Sequence, residues 1–449
     1  MKKFFIALCL SLLYAAGVFS DDYDLKKYLA FVEANNADIQ AAHKDAQIAA
    51  QTARQALSAL LPGAGFQAGY DRNLTDDMRP AAVGSLPGGG PLIYQDVDQN
   101  YDNQLTLGIG VQQKLLDPQA IATYSKARKG REIRETALEA ARQNVLCAAK
   151  KLYAQTRLAL TVVGIRESSE NLSREICESA ERRYRTGTAT ELDVLISQVD
   201  WKSKITDTAE ARKNAALVLS AFKNLAGIPL AEDVRLTEVF DESPLSIPGL
   251  TEDGSYIAGS TITGGSLAKR PDFQALVMSK QLADISKKSA YSTFAPTISA
   301  GFSWGWAGMG NDTLTGDYDT TSSKLSVTAT IPLFAGGARI AAVKAAGLEQ
   351  EKAALALRRK QQDIERQFIE LRLRFTEAKE RFESAKSIEE MAGRAVALAQ
   401  SAYTNGAGTR LSVSDAQDKL DKARLGLENA LFEYHCVYYD WELATGNVR

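Results

Sequence analysis

Tyr184-Arg-Thr-Gly187-Thr-Ala-Thr190-Glu-Leu192-Asp-Val194 returns 219 positions later as Tyr403-Thr-Asn-Gly406-Ala-Gly-Thr409-Arg-Leu411-Ser-Val413. Both copies obey Tyr-x-x-Gly-x-x-Thr-x-Leu-x-Val. Each reads as a tight turn between two antiparallel helices. Glycine ends a helix in the left-handed conformation without a Cβ penalty. The threonine accepts from the free N–H groups that open the next helix, and Asp193 sits well in that helix's first turn. A single copy would be an ordinary hairpin turn. Two copies at one offset, in matching surroundings, mark a duplicated architecture.

The surroundings do match. A helical pattern over about Leu25 to Leu60 is closed by Pro62, and Ala64, Phe66, Ala68 and Tyr70 then alternate with small or polar residues as in a strand. Residues 73–101 read as a polar loop around Gly84-Ser-Leu-Pro-Gly-Gly-Gly90, without the Gly-Lys-Ser/Thr of a phosphate cradle. Leu105, Leu107, Ile109 and Val111 form a second strand. Helical periodicity runs from Pro118 to Arg185, roughly 100 Å at 1.5 Å per residue. A further helix follows the Gly187 turn and stops at Gly227-Ile-Pro229.

The second half repeats this order. A helix from about Leu267 to Ser292 is closed by Pro296, and Ile298, Ala300, Phe302, Trp304 and Trp306 alternate as a strand. A loop covers about 307–322, and Leu325, Val327, Ala329 and Ile331 form the fourth strand. A second very long helix reaches Tyr403, and the last runs from Leu411 to about Leu443. In the long helix Ile364, Phe368, Leu371, Phe375 and Phe382 recur at heptad spacing, a coiled-coil core. The expected domains are a leader over 1–20, a first repeat over 21–230 with its strand hairpin at 62–115, a joint over 231–265, and a second repeat over 266–449 with its hairpin at 296–334.

Lys2 and Lys3, the apolar stretch Phe4 to Ala16 and Val18-Phe-Ser20 form a secretory signal, with Cys9 inside its apolar core. Cys147, Cys177 and Cys436 are scattered through helical patterns and read as small core residues rather than a disulfide framework. A formal charge of −2 argues against nucleic acid as a partner. Neither His43 nor His435 has the companions of a metal site or a catalytic triad, so no metal, cofactor or enzymatic chemistry is expected. No apolar run after the signal is long enough for a membrane helix.

Four strands with one apolar face cannot bury their loops and an open edge by themselves. Joined to strands of other copies they lose the edge and turn the apolar face to lipid. Two copies give eight strands and a filled interior; three give twelve and a lumen. Phe66, Tyr70, Phe302, Trp304 and Trp306 suit a membrane aromatic belt. A periplasmic coiled-coil scaffold or adaptor explains the helices but not these strands.

The chain resembles the TolC family of outer-membrane efflux proteins. The paired turns, Ile331-Pro-Leu-Phe334, Lys269-Arg-Pro-Asp272 and Ala295-Pro-Thr-Ile298 carry the resemblance. It implies a mainly α fold with a membrane β-barrel: a homotrimer whose twelve-stranded barrel lies in the outer membrane and continues as a twelve-helix tunnel into the periplasm. It also implies docking to a periplasmic adaptor and to a proton-driven or ATP-driven inner-membrane pump. Helix tips at Tyr184, Gly187, Thr190, Tyr403, Gly406 and Thr409 would meet the adaptor. The family closes its pore at the second tip, often with carboxylates after the threonine, and those positions here are Ser412 and Asp415. Only Asp415 is acidic, with Arg410 or Arg424 as its expected ion-pair partner.

Overall fold

The computed structural model describes residues 21–75, 77–85, 91–98, 101–237, 245, 269–311, 316, 318–405 and 407–448. The leader, most of the 231–265 joint and Gly406 lie outside the described residues. The chain forms two compact units, one from Met1–Ala46, Arg134–Val277 and Ala356–Arg449, the other from Gln47–Ile133 and Met278–Leu355. Each unit takes pieces from both halves.

The elements are β1 (Asp21–Tyr23), α1 (Leu25–Asn35), α2 (Ala37–Ser58), β2 (Gly63–Arg72), β3 (Met78–Ser85), β4 (Leu92–Asp98), β5 (Asn103–Leu116), α3 (Pro118–Arg185), α4 (Glu191–Ala226), β6 (Val234–Leu236), α5 (Pro271–Ser292), β7 (Thr297–Gly310), β8 (Tyr318–Thr330), α6 (Ala338–Thr404) and α7 (Arg410–Thr445). Three expectations are corrected. The loop read over about 307–322 is shorter, since β7 continues through Gly310 and β8 begins at Tyr318. The helix read over Leu25 to Leu60 is two helices, because Asn36 leaves the helix and caps α2: its Oδ1 accepts from Asp38 N (2.9 Å) and Ile39 N (3.2 Å). The loop read over 73–101 contains an antiparallel ribbon, β3 paired with β4. Its alternation was hidden by Pro80 and by the register shift between Ala82 and Gly84.

In the strand-bearing unit β2, β5, β7 and β8 form one antiparallel sheet in that order. Cross-strand partners share a face, and they sort by polarity. One face carries rows such as Ala64–Val111–Phe302–Leu325 and Phe66–Ile109–Trp304–Ser323, the other rows such as Gly65–Gly110–Ser303–Lys324. The apolar rows extend from Ile298 to Tyr70, which pairs through Leu105 with Gly308; Gln113 of β5 and Ser323, Thr321 and Asp319 of β8 interrupt them. Ten residue steps at about 3.4 Å, tilted by about 45°, give a band about 24 Å tall, the height of a bilayer's apolar layer in barrels. The outer strands β2 and β8 keep open edges, and Phe66, Leu325 and Val327 are exposed.

The helical unit is held by the predicted heptad. Ile364, Phe368, Leu371, Phe375 and Phe382 are all buried, packed on Tyr434, Leu431 and Ala444 of α7. A second core gathers Tyr23, Tyr28, Tyr153 and Phe222, with Tyr28 stacked on Phe222 at 3.9 Å between centroids. The two repeats end alike. Gly227 and Gly446 both adopt φ +70°, ψ 24° as C-caps. The carbonyls of Leu225 and Ala444, again 219 apart, accept from Asn36 Nδ2 (2.9 Å) and Arg270 Nη1 (3.1 Å). One buried polar side chain thus seals the end of each repeat.

Arg270 also holds Asp272 (2.8 Å), which pairs with Lys360 as well (2.8 Å). Burial alone would raise the Asp272 pKa, but hydrogen bonds from Arg270 and Lys360 prevail and hold it below the ordinary carboxylate range. A depressed folded-state pKa stabilises the fold above the unfolded value of about 3.9, and that contribution fades as pH falls toward the folded value. Stability is therefore expected to be flat between pH 7 and 5 at this residue and to drop below about pH 4. Asp272→Asn should lower stability at neutral pH and shrink the acid limb; urea titrations at pH 3.5 and 7 read both.

Candidate functional site

The two repeated turns fall in the helical unit, and the first is built as its sequence requires, while Gly406 of the second lies outside the described residues. Gly187 takes φ +76°. Thr190 caps α4 in a reciprocal box: Asp193 N donates to Thr190 Oγ1 (3.2 Å), and Thr190 N and Oγ1 both donate to Asp193 Oδ2 (3.1 and 2.8 Å). These hydrogen bonds lower the Asp193 pKa, the side-chain bond from Thr190 first. Thr409 caps α7 through Ser412 N (3.2 Å), and Ser412 Oγ donates back to Thr409 O (2.6 Å). Serine is too short to reach the cap's own N–H, so the second box is half made.

A cavity of about 300 Å³ opens between the tips, lined by Ala180, Arg183, Asp193, Tyr403, Arg410 and Val413 among others. Of the expected site residues it takes Tyr403 and Arg410, both from the second turn, and the first turn contributes Asp193 rather than Tyr184, Gly187 or Thr190. Arg183, in the last turn of α3, donates to the hydroxyl of Tyr403 in the last turn of α6, and its guanidinium lies over the Tyr403 ring at 5.5 Å. Arg410 is half-buried, and its Nη1 is fully enclosed without a hydrogen-bond acceptor among the described residues. Asp193, whose charge it feels, is engaged by Thr190.

Asp415 lies apart from this cluster, exposed, with Lys419 one turn along α7 as its partner at 2.7 Å. The expected partners differ: Arg424 pairs with Glu389 (3.4 Å) and Arg410 faces the cavity. Sequence reading missed Arg183, Lys419 and Gly408. A Cβ on Gly408 would stand 3.0 Å from Tyr403 N and 3.1 Å from Ala402 C, so the second turn needs glycine there for space. The signal for Arg183 lay in the repeat itself: Arg182, Arg183 and Arg185 stand where the second copy has Ser401, Ala402 and Thr404.

The repeats diverge once more just past the caps. On α4, Leu192, Leu195, Ile196 and Val199 form an exposed apolar line at i, i+3, i+4 and i+7. The matching positions of α7 are Leu411, Ser414, Asp415 and Asp418. One hairpin tip carries an exposed apolar line; at the matching positions of the other stand two ion-paired carboxylates, Asp415 with Lys419 and Asp418 with Lys204 of α4, both at 2.7 Å. The belt residues Phe66, Phe302, Trp304 and Trp306 lie on the apolar face of the sheet, with Tyr70 at its far end, where Tyr70 Oη donates to Asn103 Oδ1 (2.7 Å). They occupy four successive rows rather than one height.

A family model described as outer membrane efflux protein matches residues 31–227 and 264–435. The chain belongs to that family. Alkaline protease secretion protein AprF of Pseudomonas aeruginosa is 24% identical over 321 residues, 71% of this chain and 62% of AprF. The match thus spans less than two thirds of AprF's own length. Among solved structures, the Campylobacter jejuni CmeC outer membrane channel aligns over 94% of this chain and 85% of its own, with a TM-score of 0.77 at 20% identity. The outer membrane protein VceC of Vibrio cholerae gives 0.73 at 17% identity, over 94% of this chain and 96% of its own. The fold is therefore that of the TolC-like channels, long helices of a tunnel joined to strands of a barrel, and the family's place is the outer membrane, reaching into the periplasm.

Proposed function

We propose that this chain is the outer-membrane exit duct of a tripartite efflux or type I secretion system, and that it works as a homotrimer. The observation that carries this reading is the four-stranded sheet, largely apolar on one face over a bilayer-high band of β2, β5 and β7, continued by Leu325, Val327 and Ala329 of β8, and open at both edges. Three copies close it into twelve strands. A second feature agrees with assembly. Leu348, Leu355, Ile369, Met391 and Leu398 of α6, separated by 7, 14, 22 and 7 residues, are all more than half exposed, a near-heptad line beside the buried one. Sister copies cover that line.

No bond is made or broken by the duct itself. A pump in the inner membrane supplies the energy, and a periplasmic adaptor joins the two. In this reading the apolar tip of the first hairpin, around Tyr184, Gly187 and Thr190, takes the partner contact. The acidic tip of the second, with Ser412 and Asp415, faces the water-filled mouth. The Arg183–Tyr403 contact ties the two hairpins together and keeps the mouth closed most of the time, so the resting channel conducts in brief openings.

Purified protein in detergent should scatter light as three copies and conduct in planar bilayers. Leu355→Glu with Ile369→Glu should leave helix content by circular dichroism unchanged and abolish the trimer. A water-soluble monomer from the unaltered chain would overturn the reading.

A further inference from the structure

We infer that Lys324 forms a cationic ring inside the barrel that gathers anionic solutes, an inference that rests on the trimeric duct proposed above. Register places it. Lys324 pairs with Ser303, Ser303 with Gly110 and Gly110 with Gly65, a row of the polar face, which turns inward when the apolar face meets lipid. The adjoining rows are Gly63–Gln112–Gly301–Ser326 and Gln67–Gly108–Gly305–Ser322. Lys324 is thus the single long charged side chain in a field of glycine, serine and glutamine.

It is also uncompensated. Among the described residues it makes no ion pair, whereas Lys114, the other cation of this face, is neutralised by Asp117 at 2.7 Å. The lumen carboxylate toward the outer end is Asp71, in the row of Tyr318, six residues from Lys324. Six steps at about 3.4 Å make about 20 Å, twice the Debye length of about 10 Å at 0.1 M salt, so Asp71 does not cancel the ring. Twelve strands about 4.8 Å apart, tilted by about 40°, close a cylinder about 24 Å across between backbones. A lysine stem reaching about 6 Å inward sets each ammonium about 6 Å from the axis, inside one Debye length of any solute on it. Glycine neighbours leave that path clear. The selected class is a multivalent anion, because three like charges acting together favour a polyanion far more than chloride.

The test uses full-length protein in planar bilayers at 0.1 M KCl, with inositol hexakisphosphate added on the barrel side. The unaltered channel should be blocked. Lys324→Ala should weaken the apparent affinity of block at least about tenfold, and Lys324→Arg should preserve it. Equal block in the alanine variant, or no block of the unaltered channel, overturns the ring while leaving the duct intact. Absence of any conductance from any variant removes the duct reading itself.

Discussion

Gly446→Ala is expected to abolish accumulation of assembled protein, while Gly227→Ala, its counterpart one repeat earlier, is tolerated. Both glycines share φ +70°. Any L-residue there carries the left-handed penalty, about 1–2 kcal/mol. They differ in what a side chain would meet. A Cβ on Gly227 finds Asn35 Cβ at 3.5 Å and Asn35 O at 3.6 Å, ordinary contacts. A Cβ on Gly446 falls 2.7 Å from Lys269 O and 3.0 Å from Lys269 C. That neighbour is backbone, next to Arg270, whose guanidinium seals Ala444 O and Asp272. It cannot swing aside as a side chain would. Overpacking of this kind adds about 1–3 kcal/mol, so Gly446→Ala should cost roughly twice or more what Gly227→Ala costs. Outer-membrane yield and the temperature at which the oligomer dissociates measure both. Equal loss in the two variants would mean that the left-handed conformation, not the close approach, decides.

That asymmetry shows where the sequence was legible. Periodicity announced α3, α6 and all four sheet strands because long amphipathic segments repeat their signal many times, at 3.5 residues for Phe368–Leu371–Phe375 and at 2 for Phe302–Trp304–Trp306. Duplication supplied the turns, since Gly187 and Thr190 could be checked against Thr409. The ribbon β3–β4 was invisible because seven or eight residues interrupted by Pro80 and a bulge carry too few alternations. The tip cluster was half legible. Caps are local, so Thr190 and Asp193 could be read from spacing. Arg183 meets Tyr403 across 220 positions, and the clearance at Gly408 depends on where the chain doubles back. Neither follows from any short-range rule. The pairing of Asp415 with Lys419 does follow a short-range rule, being an i, i+4 pair on one helix.

Arg183→Ala is expected to leave the pore open at rest. The guanidinium contributes two things to Tyr403, a hydrogen bond to its hydroxyl and a charge over its ring. Arg183 is exposed, so each contact is screened, and one latch is worth about 0.5–1 kcal/mol. Three latches that release together sum to about 1.5–3 kcal/mol, a shift in the open population of about tenfold to a hundredfold. Tyr403→Phe keeps the ring and loses only the hydroxyl, so its effect should fall between Arg183→Ala and the unaltered chain. Asp415→Asn should do less than either, because Lys419 already offsets that charge. Single-channel conductance in planar bilayers, and sensitivity of whole cells to an antibiotic too large for ordinary porins, report the same order. Should Asp415→Asn open the pore while Arg183→Ala leaves it shut, the tie between hairpins would be structural only, and closure would rest on the acidic tip of α7.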